Sequence, residues 1–389
     1  MSNGIATPGS FNYNHLTMSK YKTIVVKIGS STLTNKAGNL DTANLKRIAE
    51  EIAELKKQKK SVIIVTSGAI VSGMERLKFS KKPRSIPEKQ AAAAVGQSLL
   101  MREYAKAFGE HDITVAQVLL TRDEVSDRQR YLNTRNTLSK LLELGVVPIV
   151  NENDTVSVEE IKIGDNDTLS ALVASLIGAD LLIMLTDVDG FMMADEDNEL
   201  QVIHEIKEIT QEIKEAAGRP STQMGVGGMI TKIQAAEICS DAGVTSAIAS
   251  GRTEGVMAEI IAGKKTGTVF APKVSRMESK KRWLAHGLPV KGTLVIDGGA
   301  ETALIKGSSL LPVGIREISG KFDLGEAVSI KNEAGFEIAR GLVNYNSENL
   351  KKITGLRSDK ISEVLGIEYV DEVIHRDNLV LIEKELKSE

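Results

Sequence analysis

Short apolar runs alternate with helix-length segments over the first 270 residues of this chain, and no other feature of the sequence constrains the fold as strongly. The apolar runs are rich in β-branched residues and lie at 23–28, 62–65, 113–119, 146–150, 181–185 and 245–249. Segments with helical periodicity separate them, at 45–57, 88–108, 131–144, 169–177 and 229–242. This order predicts an α/β fold, a mostly parallel sheet sandwiched by helices. Ligands of such sheets bind at the carboxyl ends of the strands.

The pattern changes near residue 272, which predicts a second domain. Residues 276–285 read as a basic helical linker. Short alternating segments punctuated by glycine follow, at 292–297, 314–319, 327–331 and 335–343, and they predict a small β-rich barrel. The predicted division is a disordered or non-native extension (1–18), the α/β domain (19–272), a linker (273–289), the barrel (290–370) and a C-terminal tail (371–389).

Composition and charge exclude several classes of protein. The chain has 389 residues and a net charge of −3, so no overall attraction to nucleic acid or to an anionic membrane is expected. Residues 290–370 contain ten basic and eleven acidic side chains, which is evidence against phosphate-backbone binding there. No uncharged apolar run approaches the about 20 residues that a membrane span needs. Cys239 is the single cysteine, which excludes an intramolecular disulfide and fits a reducing cytoplasm.

A lysine next to a glycine-serine turn is the first sign of phosphate chemistry. Lys27 lies on the first apolar run, and Gly29 and Ser30 begin the turn that follows it. Glycine allows a close approach of the backbone, and the N–H groups of such a turn form an anion site that a neighbouring lysine can reach. The Walker A pattern GxxxxGK[ST] is absent, so the motif predicts a phosphate site of another kind. By itself, a strand that ends in Gly-Ser is usually only a turn.

Five further clusters follow predicted strands or precede predicted helices. They are Thr66-Ser67-Gly68, Asn151-Glu152-Asn153-Asp154, Gly164-Asp165-Asn166-Asp167, the segment 186–190 and the segment 225–232. Singly, each reads as a turn, a helix cap or a loop. Together they bring lysines, carboxylates and glycine turns to one edge of the sheet. This combination favours phosphoryl transfer, in which a protein positions the reactants and neutralises the charge of the moving group.

Eight motifs occur in a fixed order along the chain, namely KIGSSTLT, IVTSGAI, AAVGQ, LLTRDE, PIVNENDTV, IKIGDNDTLSA, TDVDG and GGMITK. In order and spacing they resemble the amino acid kinase family, over residues 22–269. The segments SSLLPVGI, YNSENL and VIHRDNLV resemble the PUA domain that some members carry. The resemblance implies the α/β fold predicted above and an ATP-dependent kinase activity.

The resemblance also implies roles for individual residues. Lys27 and Lys232 would contact the transferring phosphoryl group, and Asp167 would orient both lysines. The amino acid substrate would be bound by Ser67, Asp154 and Asn166, with Asp154 meeting the α-ammonium group. The nucleotide site would include both lysines together with Gly29, Ser30, Thr186, Asp187, Val226, Gly227, Gly228, Met229, Ile230 and Thr231. The last implied residue is Asp165, which would lie near the Mg²⁺ that enters with ATP.

Within the family, the pair NENDTV and GDND together with the PUA-like domain implies that L-glutamate is the substrate. Its γ-carboxylate would attack the γ-phosphate of Mg-ATP, giving L-glutamyl 5-phosphate in the first step of proline biosynthesis. A carboxylate is ionised at neutral pH, so no general base is expected. The resemblance further implies a cytoplasmic homo-oligomer, a tetramer or a dimer, that proline inhibits. Transfer of the labile product to a glutamyl phosphate reductase is also implied.

Three other interpretations stay open on the sequence. A kinase of the same family could act on N-acetylglutamate or aspartate, an RNA-binding protein could use the PUA-like domain, and a regulatory protein could keep the fold without catalysis. The presence of Lys27, Lys232 and Asp167 argues against the last of these. The chain also departs from the family pattern on the nucleotide side. Val226 stands where a hydroxyl-bearing residue is usual, and FMMADED follows Gly190 in place of LYTADP.

Overall fold

The computed structural model describes residues 21–79, 81, 83–121, 128–156, 166–194, 199–218, 228–274, 289–366 and 370–382. These residues form two units. The first comprises the described part of 1–122 and 135–273, and the second comprises the described part of 123–134 and 274–389. The five-segment division predicted from the sequence stays a prediction. No helix in the described ranges is long and apolar enough to cross a membrane.

Ten strands form the sheets of the first unit as far as it is described. They are β1 (Thr23–Ile28), β2 (Ser61–Thr66), β3 (Val115–Leu120), β4 (Val147–Glu152), β5 (Leu181–Thr186), β6 (Met192–Ala194), β7 (Leu200–Val202), β8 (Glu205–Ile206), β9 (Thr245–Ser250) and β10 (Thr268–Phe270). Eight of these form one sheet in the order β3-β4-β2-β1-β5-β9-β10-β8, and β6 pairs with β7. Neighbours in the large sheet are parallel except for β9 and β10. The predicted α/β fold with a mostly parallel sheet is confirmed.

The central strands are buried on both faces, which explains why the sequence reads there as continuous apolar runs. Nearly every residue of β1, β2, β5 and β9 is buried. Lys27 on β1 is level with Val65 on β2 and Met184 on β5. The carboxyl ends of these strands therefore coincide, and side chains that follow them share one edge of the sheet.

Nine helices accompany these strands in the described residues up to 273, and the start of the fifth, residues 128–134, belongs to the second unit. They are α1 (Ser30–Leu33), α2 (Thr42–Lys57), α3 (Ala69–Arg76), α4 (Ile86–Gly109), α5 (Arg128–Glu143), α6 (Asn166–Ile177), α7 (Gln211–Gly218), α8 (Gly228–Asp241) and α9 (Val256–Ile261). Local signals set their starts. The side chain of Asp41 accepts a hydrogen bond from the backbone N–H of Asn44 at the start of α2, and Ser85 and Glu88 form a capping box on α4. The five helices predicted from periodicity correspond to α2, α4, α5, α6 and α8.

Helix α3 was not predicted, because its sequence reads as a turn that contains glycine. Gly68 precedes it with a φ of 106°, a left-handed conformation that favours glycine. Gly73 and Gly96 let α3 and α4 approach backbone to backbone. An added Cβ would lie 1.8 Å from the carbonyl oxygen of Ala92 at Gly73, and 1.7 Å from that of Ala69 at Gly96. This contact fixes α4 beside the carboxyl end of β2.

The second unit is built around a five-stranded mixed sheet. Its described strands and helices are β11 (Val290–Ile296), α10 (Gly298–Ile305), β12 (Ile315–Gly320), β13 (Ala327–Asn332), β14 (Glu337–Leu342), α11 (Ser347–Ile353), α12 (Ile361–Leu365) and β15 (Leu379–Leu381). The strand order is β12-β11-β13-β14-β15, with β11 and β13 parallel and the other neighbours antiparallel. Phe322, Tyr345 and Leu350 lie in its core.

The second unit extends into the segment predicted as a tail. Strand β15 pairs with β14, and Val373 and Ile374 are fully buried. A short polar turn, Arg376–Asn378, separates these apolar residues from β15 and hides the strand pattern in the sequence. Residues 379–381 of the segment predicted as a tail thus pair within this sheet, and the boundaries of the predicted division stay a prediction. The basic linker predicted at 276–285 lies outside the described residues.

Candidate active site

Asp167 holds two lysines from distant parts of the chain. The aspartate lies in the first turn of α6, while Lys27 lies on β1 and Lys232 on α8. Its Oδ1 is 2.5 Å from the Nζ of Lys27, and its Oδ2 is 3.1 Å from the Nζ of Lys232. Only 1% of Asp167, 5% of Lys27 and 8% of Lys232 is exposed. These three residues, the lysine–aspartate triad, are the three that the sequence predicts to be catalytic.

Two helix N-termini frame the triad. Helix α6 begins at Asn166 and α8 begins at Gly228. The Nζ of Lys232 also donates to the carbonyl oxygen of Gly228 at 2.8 Å, and the hydroxyl of Thr231 donates to Oδ2 of Asp167 at 3.0 Å. Helix N-termini carry partial positive charge and unpaired N–H groups, so their convergence with two lysines makes an anion site.

The charge of the triad favours a bound phosphate. Burial alone would raise the pKa of Asp167, but the charges and hydrogen bonds of Lys27 and Lys232 outweigh it and hold this pKa below its ordinary value of 3.8. The carboxylate is therefore ionised at neutral pH. One carboxylate between two ammonium groups leaves a formal charge of +1 in a poorly hydrated place, where charge interacts more strongly than in water.

Gly29 leaves room for the ammonium group of Lys27. Its N–H donates to the carbonyl oxygen of Leu185 at 3.0 Å, which ties the turn to the end of β5. A Cβ added at Gly29 would lie 3.2 Å from that oxygen and 3.5 Å from the Nζ of Lys27. A side chain at this position would press on the carbonyl oxygen and lie in van der Waals contact with the ammonium group. Ser30 follows as the exposed first residue of α1.

Asn166 connects the triad with the residues predicted to bind the amino acid. Its Nδ2 donates to the carbonyl oxygen of Thr66 and to the Oγ of Ser67, each at 2.9 Å. The Oδ1 of Asn151 at 3.2 Å is a third acceptor, so the two hydrogens of Nδ2 are shared among three oxygens. Ser67 follows β2, and Asn151 is the last residue but one of the neighbouring strand β4. The ends of two adjacent strands therefore supply both partners. Ser67 and Asn166 are thus in direct contact.

Asp154 lies apart from this contact. It belongs to the loop after β4 and is partly buried. Burial, together with the charge of Glu152, raises its pKa to about 6. Within the described ranges no hydrogen bond links it to Ser67 or Asn166. The structure therefore brings two of the three predicted glutamate-binding residues together and leaves the third in the adjoining loop.

Several described residues predicted to line the nucleotide site lie on the same edge of the sheet. Thr186 ends β5, the neighbour of β1, and Asp187 follows it; the hydroxyl of Thr186 donates to Oδ1 of Asp187 at 3.0 Å. Met229 and Ile230 lie in the first turn of α8, where 36% of Ile230 is exposed.

Three predicted site residues, Asp165, Val226 and Gly227, lie outside the described residues. The described ranges also contain no group of three or more His, Cys, Asp or Glu side chains that could bind a metal. Contact between Asp165 and the metal of Mg-ATP stays a prediction.

Two buried amides, Gln97 and Asn151, belong to the site although neither has a role predicted from the sequence. Gln97 lies on α4 and its Oε1 accepts a hydrogen bond from the Nδ2 of Asn151 at 2.8 Å. Both side chains are buried, at 9% and 2% exposed. A signal was present in the sequence, because Gln97 is a polar residue on a helix face otherwise formed by Ala93, Gly96 and Leu100.

Comparison with known proteins identifies the family of the chain. The amino acid kinase family model matches residues 22–250, and the PUA domain model matches residues 292–365. A glutamate 5-kinase of Caldanaerobacter subterraneus subsp. tengcongensis is 50% identical over 364 residues, which cover 93% of this chain and 98% of that protein. Glutamate 5-kinases of Moorella thermoacetica and Geobacter sulfurreducens are 47% and 46% identical, each over 94% of this chain and 98% and 99% of their own.

The kinase match spans every residue of the triad, and the PUA match falls on the second unit. The relatives extend the agreement over nearly the whole chain. The chain belongs to the amino acid kinase family and, within it, to the glutamate 5-kinases that carry a PUA domain.

Proposed function

We infer that the chain transfers the γ-phosphoryl group of Mg-ATP to the γ-carboxylate of L-glutamate, giving ADP and L-glutamyl 5-phosphate. This is the first step of proline biosynthesis. The lysine–aspartate triad carries the inference, because it holds two buried ammonium groups at the carboxyl ends of the strands. The names of the relatives agree with this activity.

The triad suits a reaction in which negative charge moves between two oxygens. Phosphoryl transfer needs little covalent chemistry from a protein, and positioning and charge neutralisation dominate it. In our proposal Lys27 and Lys232 contact the transferring group and stabilise its charge. Asp167 positions both lysines. Its two oxygens already face ammonium groups, so it acts neither as a base nor as a metal ligand.

The acceptor needs no activation by a base. The γ-carboxyl group of free glutamate has a pKa of about 4.3 and is ionised at neutral pH. Ser67 and Asn166 then bind and orient the amino acid beside the triad, and Asp154 pairs with its α-ammonium group from the adjoining loop. The contact between Asn166 and Ser67, one residue away from Asp167, supports this arrangement.

The nucleotide side follows from the two helix N-termini and the turn at Gly29. Mg²⁺ enters as part of the Mg-ATP substrate and screens its phosphates, with Asp165 nearby. The phosphates bind against the turn and the start of α8, and the nucleotide residues are those named above: Ser30, Thr186, Asp187, Val226, Gly227, Gly228, Met229, Ile230 and Thr231. The anion-binding character of helix N-termini supports this half of the proposal.

The direct test is glutamate- and ATP-dependent formation of a hydroxamate, since hydroxylamine traps an acyl phosphate. We expect the wild-type protein to form glutamyl hydroxamate and Lys27→Ala or Lys232→Ala each to lower kcat by about 100-fold or more. Wild-type turnover by either folded variant would overturn the assignment. Preference for N-acetylglutamate or aspartate in the same assay would overturn the choice of substrate.

The chain offers a matched control for loss of a buried lysine. Lys60 is 6% exposed and its Nζ donates to the carbonyl oxygen of Tyr21 at 2.6 Å, ahead of the amino end of β1. Lys60→Met removes a buried ammonium group at the end of the sheet opposite to the triad. We expect this variant to lose stability and to keep its kcat.

Regulation and assembly are part of the proposal. We expect proline to compete with glutamate, so that it raises the KM for glutamate and leaves kcat unchanged; a fall in kcat at unchanged KM would contradict this.

We also expect a cytoplasmic homo-oligomer, a tetramer or a dimer, which light scattering will measure. A reductase that takes over the labile product completes the proposed partners. Lack of binding to structured RNA in a gel shift would agree with the charge balance of the second domain.

A further inference from the structure

Three amide side chains form a hydrogen-bonded row behind the proposed glutamate site. Gln97 Oε1 accepts from Asn151 Nδ2 at 2.8 Å, and Asn151 Oδ1 accepts from Asn166 Nδ2 at 3.2 Å. They come from α4, β4 and α6, three elements far apart in the chain. We name this row the amide relay. It ends at the backbone of β2, where Asn166 Nδ2 donates to the carbonyl oxygen of Thr66 at 2.9 Å.

That backbone carbonyl fixes the direction of every amide in the relay. A carbonyl oxygen can only accept, so the atom of Asn166 that faces Thr66 is its nitrogen. Asn151 must then turn its oxygen to Asn166 and its nitrogen to Gln97. Gln97 in turn must present its oxygen. Rotating any one of these amides by half a turn would set two donors or two acceptors against each other.

The relay leaves one buried atom without a partner at each end. Asn166 Oδ1 and Gln97 Nε2 are both buried, and neither has a hydrogen-bond partner in the part of the chain that the structure describes. A buried polar atom without a partner destabilises a fold and calls for a ligand or water. Asn166 Oδ1 is an acceptor one residue from the triad and on the same side chain that holds Ser67. A donating group of a bound ligand, or a water molecule, would satisfy it.

We propose that Gln97 is a positioning residue that acts through Asn151 to hold Asn166 Oδ1 as a second acceptor, in addition to Asp154, for the α-ammonium group of glutamate. The proposal rests on the proposed function. It explains how the glutamate site distinguishes a ligand with a free α-amine from one without it. Gln97 itself does not touch the reacting atoms. By engaging Asn151 Nδ2 it keeps Asn151 Oδ1 on Asn166. A ligand without a donor at this point leaves the acceptor buried and unpaired.

The proposal predicts that the affinity of a ligand depends on Gln97 only if the ligand carries an amine. Glutarate has both carboxylates of glutamate and lacks the amine, so it makes no bond to Asn166 Oδ1. Loss of a hydrogen bond in the relay should therefore lower the affinity for glutamate and leave the affinity for glutarate unchanged. A bond between an amide oxygen and an ammonium group corresponds to about 10- to 100-fold in affinity.

The experiment compares Gln97→Leu with Gln97→Glu in the hydroxamate assay. Gln97→Leu keeps the approximate volume and removes the acceptor, whereas Gln97→Glu keeps an oxygen toward Asn151. We expect Gln97→Leu to raise the KM for glutamate about 10-fold or more, with kcat nearly unchanged and the same inhibition constant for glutarate. We expect Gln97→Glu to retain a KM close to that of the wild type. If the leucine variant does not fold, Gln97→Met serves the same purpose.

A control on the same helix separates positioning from general damage. The hydroxyl of Tyr104, two turns after Gln97 on α4, shares a hydrogen bond of 2.7 Å with the buried hydroxyl of Thr66. Tyr104→Phe removes this bond without touching the relay, and we expect equal effects on glutamate and glutarate.

Two results would overturn the proposal while the proposed function stands. One is a wild-type KM for glutamate in folded Gln97→Leu, and the other is a parallel loss of affinity for glutamate and glutarate. Failure of the wild-type protein to phosphorylate glutamate would instead overturn the proposed function itself.

Discussion

Replacing Asp167 with asparagine removes the carboxylate that both buried lysines face. The substitution keeps the size of the side chain and one acceptor oxygen, so it tests charge and not packing. Lys27 and Lys232 lie 2.5 Å and 3.1 Å from the carboxylate, and at most 8% of any of the three residues is exposed. Removing one partner of a buried ion pair costs about 3–5 kcal/mol, because the other charge stays buried without compensation. We expect Asp167→Asn to lower the free energy of unfolding by this amount.

A double-mutant cycle assigns this loss to the triad. In Asp167→Asn/Lys27→Met one of the two uncompensated charges is gone, so we expect the double variant to be more stable than the sum of the single changes by about 1–3 kcal/mol. Urea unfolding followed by circular dichroism at pH 7 measures all four proteins. Additivity within about 0.5 kcal/mol would refute the reasoning, because it would mean that the two residues do not interact.

The pKa of Asp167 predicts how its contribution to the free energy of unfolding changes with pH. The pKa of Asp167 is held below its ordinary value of 3.8, so its ionised form is favoured in the folded protein. Its stabilisation is therefore fully present above pH 3.8 and is lost as the pH falls through the lower folded value. We expect the stability difference between the wild type and Asp167→Asn to be constant from pH 8 to pH 5, about 1 unit above the ordinary pKa. A difference that disappears near neutral pH would contradict the assignment.

Three further predictions concern other parts of the site. The pKa of Asp154 is raised to about 6, so kcat/KM for glutamate should fall as the pH drops below this value, and Asp154→Asn should abolish that inflection in the pH profile. Thr231→Val removes the hydroxyl that donates to the buried aspartate and should lower kcat about 10-fold at unchanged fold, measured by the hydroxamate assay. Gly96→Ala places a Cβ 1.7 Å from the carbonyl oxygen of Ala69 and should lower the free energy of unfolding by more than about 3 kcal/mol; Gly109→Ala on the same helix meets no atom within 4 Å and should not destabilise.

Much of the kinase unit was predictable from its sequence, because strong local patterns coincide with the structure. The β-branched runs became β1, β2, β3, β4, β5 and β9, and the long amphipathic segments became helices. The elements that were missed are short or depend on tertiary contacts. Strand β8 has two residues, and α3 exists beside α4 because Gly73 and Gly96 permit backbone contact. The close contact between these two helices cannot be predicted from the few residues on either side of each glycine.

The site shows a similar division. The resemblance to the amino acid kinase family implied roles for Lys27, Asp167 and Lys232, and the structure places them in contact. Their distances depend on sheet order and on where α6 and α8 begin, and neither can be read from spacing. Gln97 stood out only as a polar residue on a face of small and apolar residues, and that signal does not identify its partner Asn151.

The wide separation of the triad along the chain has a consequence for biosynthesis. Lys27 and Asp167 leave the ribosome well before Lys232, which lies more than 200 positions after the first lysine. At about 5–20 residues per second, extension from position 167 to position 232 takes roughly 3–13 s. During this interval the nascent chain contains the carboxylate and one lysine, which neutralise each other, and it lacks the second cation. In our proposal the phosphates of ATP bind against the start of α8, so we expect ATP to stabilise the emerging domain only after α8 has been made, and a translational pause before residue 232 would delay that stabilisation.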